Sequence, residues 1–317
     1  MNGAQNQHYV PKLILRQFLS NQEKEQVSVY DKHLDKKFTT SIKNIMGERR
    51  FNDFTFEDWM VSFESIATVI ENLIVPVYRR IVETHRLDGS DQEKADLGFL
   101  MAFQFLRTRA ARQRYKSLEE MIRKGVESRG HRMEEIVGWE PQTEDTLKQQ
   151  HLVNIRDMLP KFANIIAHKE FRLMEATPGR SFYLGDDPVC LHNEESFGPY
   201  GNLGLAVPGI EIYLPMASDL MLCAWCPSIV EDLEKKYQNR RRAFQEEVLA
   251  LHMAGKLSTA EIQKDLNKFR PGRSQLDELA HALATGNPLP SNTEHMDFFN
   301  SLQCGQAFRY VICQRSD

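Results

Sequence analysis

Apolar residues in this chain recur with two different periods, and the switches between them mark out its organisation. At the N-terminus His8-Tyr9-Val10-Pro11 runs straight into Leu13, Leu15 and Phe18, where a chain end would ordinarily fray. Pro11 fixes its own φ and pushes Val10 towards extended geometry, so the pattern predicts an anchored arm that holds His8 on stiff backbone. Val27 to Tyr30 and Lys37 to Ser41 alternate with period two, as a small hairpin does. From Glu57 to Val82, Phe63, Ile66, Ile70, Leu73 and Val77 recur every three or four residues and predict a helix with one core stripe. A rotation of about 100° per residue puts Glu64 and Glu71 together, off that stripe, and Pro76 predicts a kink or an end. Ser90-Asp91-Gln92-Glu93 has capping-box spacing and opens a second helix, apolar nearly all round from Leu97 to Leu106 and therefore central. Beyond the Gly138 to Pro141 loop, a further helix is expected from about Glu144 to Met174, broken near Pro160.

Ala176-Thr177-Pro178-Gly179 punctuates the chain and introduces short β-type runs: Ser181 to Leu184, Val189 to Leu191, Ile210 to Leu214 and Leu220 to Trp225. A Gly- and Pro-rich loop from Phe197 to Gly209 lies between them. Ser228-Ile229-Val230-Glu231 and Ser258-Thr259-Ala260-Glu261 have capping-box spacing, and Ala307 to Cys313 reads as a closing strand. Short strands without flanking helices cover one face of a helical layer. The expected fold is therefore α+β, mainly α: a helical layer with a small, mostly antiparallel sheet, in which the late short strands pair with the N-terminal strand under the Leu97 to Leu106 helix. Without an internal repeat or low-complexity tract, residues 1–317 read as a single domain. Its parts are an arm and hairpin over 8–42, a helical part over 54–175, a strand-rich part over 180–226, and C-terminal helices with the last strand over 228–313.

Composition narrows the class. The 317 residues are 41% hydrophobic, with no apolar run near the roughly 20 residues needed to span a bilayer. Met1 to Gln7 is short and polar, unlike a signal peptide, and five cysteines, an odd number, suit a reducing compartment. The expectation is a cytoplasmic protein with no membrane partner. A net charge of −4 attracts no nucleic acid globally, so such binding needs a local basic patch. Arg107, Arg109, Arg112, Arg114 and Lys116 form one run that no acid interrupts. The second run, Lys235-Lys236 and Arg240-Arg241-Arg242 beside Tyr237, sits among Glu231, Asp232, Glu234, Glu246 and Glu247 and reads as a salt-bridged face. A Gly-rich phosphate loop and a Gly-x-Ser-x-Gly elbow are both missing from the sequence.

Several stretches, in this order, resemble a bacterial domain-of-unknown-function family, the one numbered four-two-three-eight. These are the His8-Tyr9-Val10-Pro11 opening, Val29-Tyr30-Asp31, Phe63-Glu64 with Ile70-Glu71, Gln104-Phe105-Leu106-Arg107-Thr108, Asp186-Asp187-Pro188-Val189, the late Asn300, and Ala307-Phe308-Arg309-Tyr310-Val311. Two positions depart from its pattern: Gly185 stands where the family has serine and Asp187 where it has asparagine. The resemblance implies where a site lies but no established activity.

His8 titrates near neutral pH, Asp186 sits at a strand end, and Arg107 offers a planar fork for phosphate or carboxylate. The leading expectation is an enzyme acting on a phosphate-containing substrate, a nucleic acid or nucleotide, in the manner of a nuclease or phosphodiesterase. His8 is its general acid or base and Asp186 orients His8 or a metal-bound water. Glu71, which on residue grounds alone reads as a solvated helix position, joins the catalytic set through the resemblance; Arg107, Gln104, Arg109 and Arg112 bind substrate. Against this stands a non-catalytic module in which the same residues form a closed network, with Arg107 paired to Glu71 or Asp186. Convergence of His8, Glu71, Gln104, Arg107 and Asp186 in one cluster is expected on both readings, because buried polar groups must find partners. The cofactor is left open. Mg²⁺ is the candidate for one carboxylate and waters, but Asp186 and Asp187 point to opposite faces of a strand and do not chelate one ion. Cys223-Ala224-Trp225-Cys226 has zinc-knuckle spacing without a second ligand pair, so it reads as a cysteine pair in an apolar run.

Overall fold

A computed structural model describes residues 6–56, 59–198, 201–256, 258 and 275–313. The arm forms β1 (Asn6–His8) and, behind Pro11, the short helix α1 (Lys12–Leu15). There follow a hairpin of β2 (Gln26–Asp31) and β3 (Lys36–Ser41), then β4 (Gly47–Arg49), and a second hairpin of β5 (Asp53–Phe56) and β6 (Trp59–Ser62). Four helices come next: α2 (Glu64–Thr84), α3 (Asp91–Leu106), α4 (Arg109–Glu127) and α5 (Glu144–Ala167). The strands β7 (Glu170–Glu175), β8 (Leu184–Gly185), β9 (Cys190–His192), β10 (Glu211–Ala217) and β11 (Leu220–Trp225) precede α6 (Pro227–Met253). The described chain closes with α7 (Gln275–Thr285), β12 (Leu289–Pro290), α8 (Thr293–Gln306) and β13 (Tyr310–Cys313).

The architecture is α+β and mainly helical, but the strands divide into more than the one sheet expected. A five-stranded sheet runs β12-β7-β11-β10-β9, and a four-stranded sheet runs β3-β2-β13-β8. In the second, β13 pairs antiparallel with β2 from Tyr310↔Asp31 to Cys313↔Ser28, so the two ends of the chain share a sheet. Only β8 of the late short strands joins that hairpin; the others pair among themselves.

Three expected elements are corrected. Residues 170–175, read as the end of a helix, form β7, because all six pair with β11 and alternate between two cores. Phe171 and Leu173 join the main core, while Met174 joins a second cluster with Tyr213, Met221, Cys223, Met296 and Phe299. Neither Pro160 nor Pro76 breaks its helix. Around the first, α5 is clamped against α3: a Cβ on Gly98 would lie 2.6 Å from the Ala163 carbonyl oxygen, an approach only glycine permits. The helix expected from Glu57 starts at Glu64, since Asp53 to Ser62 pair as a hairpin. Its buried face is Ala67, Ile70, Ile74, Val77, Tyr78 and Ile81, whereas Ile66 and Leu73 are exposed.

The capping predictions divide in the same way. Ser90 accepts the Glu93 amide at 3.1 Å, but the Glu93 carboxylate turns to the amides of Asp88 and Gly89 and to Arg80. Helix α6 begins at Pro227 with Cys226 as its cap, two residues before the Ser228 expected. The Ser258 to Glu261 box lies outside the described residues apart from Ser258.

The arm is core. Tyr9, Val10, Ile14, Leu15 and Phe18 are buried in the main cluster with α2, α3, α5, β10 and β11. Its backbone is tied on both sides, through the Tyr9 amide to Met46 O at 3.1 Å and the Ser218 amide to Gln17 O at 3.2 Å. Phe18→Ala is therefore expected to cost about 3–5 kcal/mol in a urea melt, and a chain beginning at Ser20 to show no cooperative transition. A chain lacking the arm that melts at the wild-type temperature would contradict this placement.

Candidate functional site

Helix α3 ends in the residues that hold the arm. Gln104 Nε2 donates to the Tyr9 carbonyl at 3.1 Å, and one turn on, Arg107 Nη2 donates to the His8 carbonyl at 2.8 Å. Residues three apart share a helix face, so two side chains satisfy two consecutive carbonyls of an extended segment. Arg107 is itself nearly buried; its Nη1 meets Glu71 Oε1 at 2.5 Å and its guanidinium lies over the Phe103 ring, 4.5 Å from the centroid.

The His8 ring turns away from this cluster. Nε2 lies 2.9 Å from the Ile42 carbonyl, an acceptor, so that nitrogen carries the proton and Nδ1 keeps its lone pair. The ring packs flat on β4, where a Cβ on Gly47 would meet His8 Cγ at 3.1 Å. Burial lowers its pKa, and the charges of Lys12 and Arg107 act in the same direction. The imidazole is thus neutral at pH 7.

Asp186 and Asp187, in the bend that follows β8, diverge. Asp186 holds the turn before β13: Oδ1 accepts from the Phe308 amide at 2.7 Å, and Oδ2 from the amides of Arg309 and Tyr310 at 3.0 and 3.1 Å. Burial raises its pKa to about 6 against the pull of these donors. Asp187 faces α4 and α8, accepting from the Thr108 hydroxyl at 2.8 Å, from Arg114 at 2.5 Å and from Gln306 at 2.9 Å. Gly185, at the position where a serine was expected, is tight: a Cβ there would lie 3.0 Å from Gln303 O and 3.2 Å from Ala307 Cβ.

The expected convergence is met in part. Arg107, Glu71 and the His8 backbone meet, and Gln104 stands beside them, but Asp186 bonds to neither His8 nor Arg107 and orients no imidazole. Burial raises the pKa of the Tyr9 hydroxyl, and the Asp186 and Glu48 carboxylates add to the effect.

The basic run after α3 is also individually partnered. Arg109 Nη1 sits 2.9 Å from Glu48, and Arg114 pairs with Asp187. Arg112 is buried over the Phe51 ring at 3.7 Å and donates to Phe51 O at 2.7 Å and His151 Nδ1 at 3.2 Å. Burial brings its pKa down to about 10. These arginines each reach a different segment of the chain. In the second run, Arg242 pairs with Glu246 at 2.9 Å along an exposed helix face, as expected.

His151 and Glu48 were not singled out from the sequence, and Thr108 entered only as part of the Gln104 to Thr108 motif. His151 belongs to α5, whose apolar stripe would bury it, and Thr108 caps α4 by accepting the Ala111 amide at 3.1 Å. Glu48 carries no local signal. Among the described residues no three His, Cys, Asp or Glu side chains gather in a metal-holding group, and no helix is long and apolar enough to cross a membrane.

Two sizeable clefts lie elsewhere. One of about 990 Å³ separates α4 from α5 and includes Tyr115, Trp139 and Met158. Another, of about 710 Å³, is lined by Arg80, Lys94, Arg172, Val230 and Asn287. His8, Glu71, Arg107 and Asp186 line neither. In the second cleft Arg172 is 8% exposed; its Nε and Nη2 have no hydrogen-bond partner, and Nη2 keeps a long ion pair to Glu170 Oε2 at 3.7 Å.

Two measurements probe the buried network. Arg107→Met strands the His8 carbonyl and Glu71 and is expected to cost about 2–4 kcal/mol; adding Glu71→Leu should recover part of that, a coupling of about 1 kcal/mol or more in a double-mutant cycle. Strict additivity would show that the pair is not formed. His151 donates from Nε2 to Leu106 O at 2.7 Å and is held neutral, with burial lowering its pKa to about 3. Between about pH 6.5 and 3 the unfolded chain binds a proton the folded one refuses, so stability falls with pH, by roughly 3 kcal/mol at pH 4.5. Urea melts at pH 7 and 4.5 should show a weaker acid loss in His151→Gln than in the wild type; equal losses would contradict the assignment.

Comparison with known proteins agrees with the motif reading. Residues 6–317 match the family described as Protein of unknown function (DUF4238), while no curated protein and no solved structure matches the chain. With nearly its whole length covered, from the histidine arm past the closing strand, the chain belongs to the DUF4238 family.

Proposed function

We propose that this protein is a non-catalytic binding module that takes a small phosphate-bearing molecule of nucleotide size in the 710 Å³ cleft between α2, α3, β7, α6 and α7. The observation that carries this reading is the Arg172 guanidinium, buried in the cleft wall with two nitrogens that no hydrogen bond meets, Glu170 Oε2 standing off at 3.7 Å from Nη2. Each unmet donor costs about 1–3 kcal/mol, and a phosphate or carboxylate presents the two acceptors that a guanidinium fork matches. Lys94, in the first turns of α3, lines the same cleft, while the nearby Glu93 and Asp88 carboxylates are engaged by Arg80 and loop amides. The volume falls in the usual range for small-molecule sites. The closed bonding around Arg107 and Asp186 supports a structural role for the residues first expected to be catalytic.

A second reading keeps an enzyme of phosphodiester bonds centred on His8. It rests on the neutral imidazole with its Nδ1 lone pair and on Glu71, about one third exposed nearby.

Calorimetric titration with adenosine monophosphate and with inorganic phosphate tests the first reading. The wild type should bind, and Arg172→Met should weaken binding at least tenfold with its melting temperature unchanged or raised, since a buried cation held by no better than a 3.7 Å ion pair to Glu170 leaves the interior. No binding by either anion would reject it. Hydrolysis of bis(p-nitrophenyl) phosphate, with and without Mg²⁺, that disappears in folded His8→Ala would favour the second.

A further inference from the structure

Strand β6 lies at the outside of the protein. It pairs with β5 from Asp53↔Ser62 to Phe56↔Trp59, and among the described residues no strand meets its other side. The Phe63 amide donates to Asn52 O at 2.9 Å. Phe54↔Val61 is therefore the next hydrogen-bonded pair, and the N–H and C=O groups of Met60 and Ser62 face away from β5. On the opposite side of the hairpin the outward carbonyl of Thr55 accepts from Gln149 Nε2 of α5 at 3.2 Å. One edge of the hairpin is thus closed by α5, and the other is open.

The open edge is also apolar. All four β6 residues are exposed, Trp59 at 77%, and β6 carries neither the charge nor the proline that ordinarily guards an edge. Beside it the outer row of α2, Ile66, Val69 and Leu73, is more than half exposed. Taking about 200 Å² for a large side chain fully in water, this face leaves roughly 700 Å² of apolar surface bare. That exceeds what a monomer ordinarily shows in one patch and nearly fills the roughly 800 Å² per partner of a stable dimer. None of these residues lines the 710 Å³ cleft. Between the hairpin, α2 and α5 the same face opens into an apolar groove of about 520 Å³, lined by Val61, Phe63, Ile66, Ile70, Leu152 and Leu159.

We infer that this face is a homodimer interface, in which β6 strands of two copies pair antiparallel across a two-fold axis at Val61 and join the hairpins into one four-stranded sheet. A strand paired antiparallel with itself matches N–H to C=O without needing any other sequence, and here Met60 of each copy stands opposite Ser62 of the other. An isolated two-stranded hairpin is marginal in water, whereas three or more strands with an apolar face are stable. The same register sets Trp59 opposite Phe63 of the other copy, at the mouth of its groove. A projection and a recess on one surface are what an isologous contact requires.

Sedimentation velocity of the full chain over a concentration series should give a species of twice the chain mass. Met60→Pro removes an amide that β5 does not use, and Trp59→Lys places a charge on the edge. Each should weaken self-association at least tenfold while keeping the wild-type circular dichroism spectrum; should one fail to fold, the other carries the comparison. Val137→Lys, at an exposed apolar position away from β6, should leave the dimer intact. The two copies of residue 61 form a pair without hydrogen bonds, with Cα atoms about 4.5 Å apart, within disulfide reach. Mild oxidation of Val61→Cys should therefore link two chains through that position, read by peptide mass spectrometry. A monomer at every concentration, a dimer that the folded edge variants retain, or a dimer that does not link at position 61 would overturn the inference.

Discussion

Buried backbone carbonyls must be paired, and in this protein that requirement is met by side chains at the place where the arm enters the core. An extended segment lacks the internal bonds of a helix, so His8 and Tyr9 could bury their carbonyls only if something supplied donors. Arg107 and Gln104 do so from one face of α3. Everything packed on the arm inherits that fixing: β4 through the Tyr9 amide, α2 through Glu71, and the five-stranded sheet through Gln17. Asp186 performs the matching service at the other end of the chain, gathering three amides so that β13 can lie between β2 and β8.

Charge along the chain and charge in space tell different stories here. Arg107, Arg109, Arg112 and Arg114 are close in sequence, but α3 ends and α4 begins between them, so they fan out to Glu71, Glu48, Phe51 and Asp187. A basic stripe would hold a polyanion; four separate struts hold four segments of one fold. Arg172 is the contrasting case, a buried cation on β7 with two nitrogens that no hydrogen bond meets and only a long ion pair to Glu170. That is why ligand binding is proposed there rather than at the histidine arm.

The sequence made legible those features whose signal is local. Helix α3 announced itself because Leu97 to Leu106 is apolar on every side, and the arm because apolar residues cluster where a terminus would be polar. Strand β7 was hidden: Glu170 to Glu175 continues a helical pattern, and only pairing with β11, fifty residues later, decides its conformation. The α2 stripe was misplaced because Ile66, Val69 and Leu73 make the outer face apolar too. At the candidate site, Arg107, Gln104, Glu71 and Asp186 were found as polar residues set against apolar stretches. The Arg107–Glu71 pair was among the expected partners, whereas the partners of Arg109, Arg112 and His8 were not, since Glu48, His151 and the carbonyls of Phe51 and Ile42 lie tens of residues away and nothing near them in the chain marks them.

Native-state hydrogen exchange reads the pinning of the arm most directly. The amides of Tyr9, Ile14 and Leu15 are predicted to exchange only through global unfolding, with the same free energy as the Leu222 and Phe171 amides of the central sheet. Exchange of the arm amides as a frayed end, while β7 and β11 stay protected, would show that Arg107 and Gln104 do not anchor it and would contradict the account.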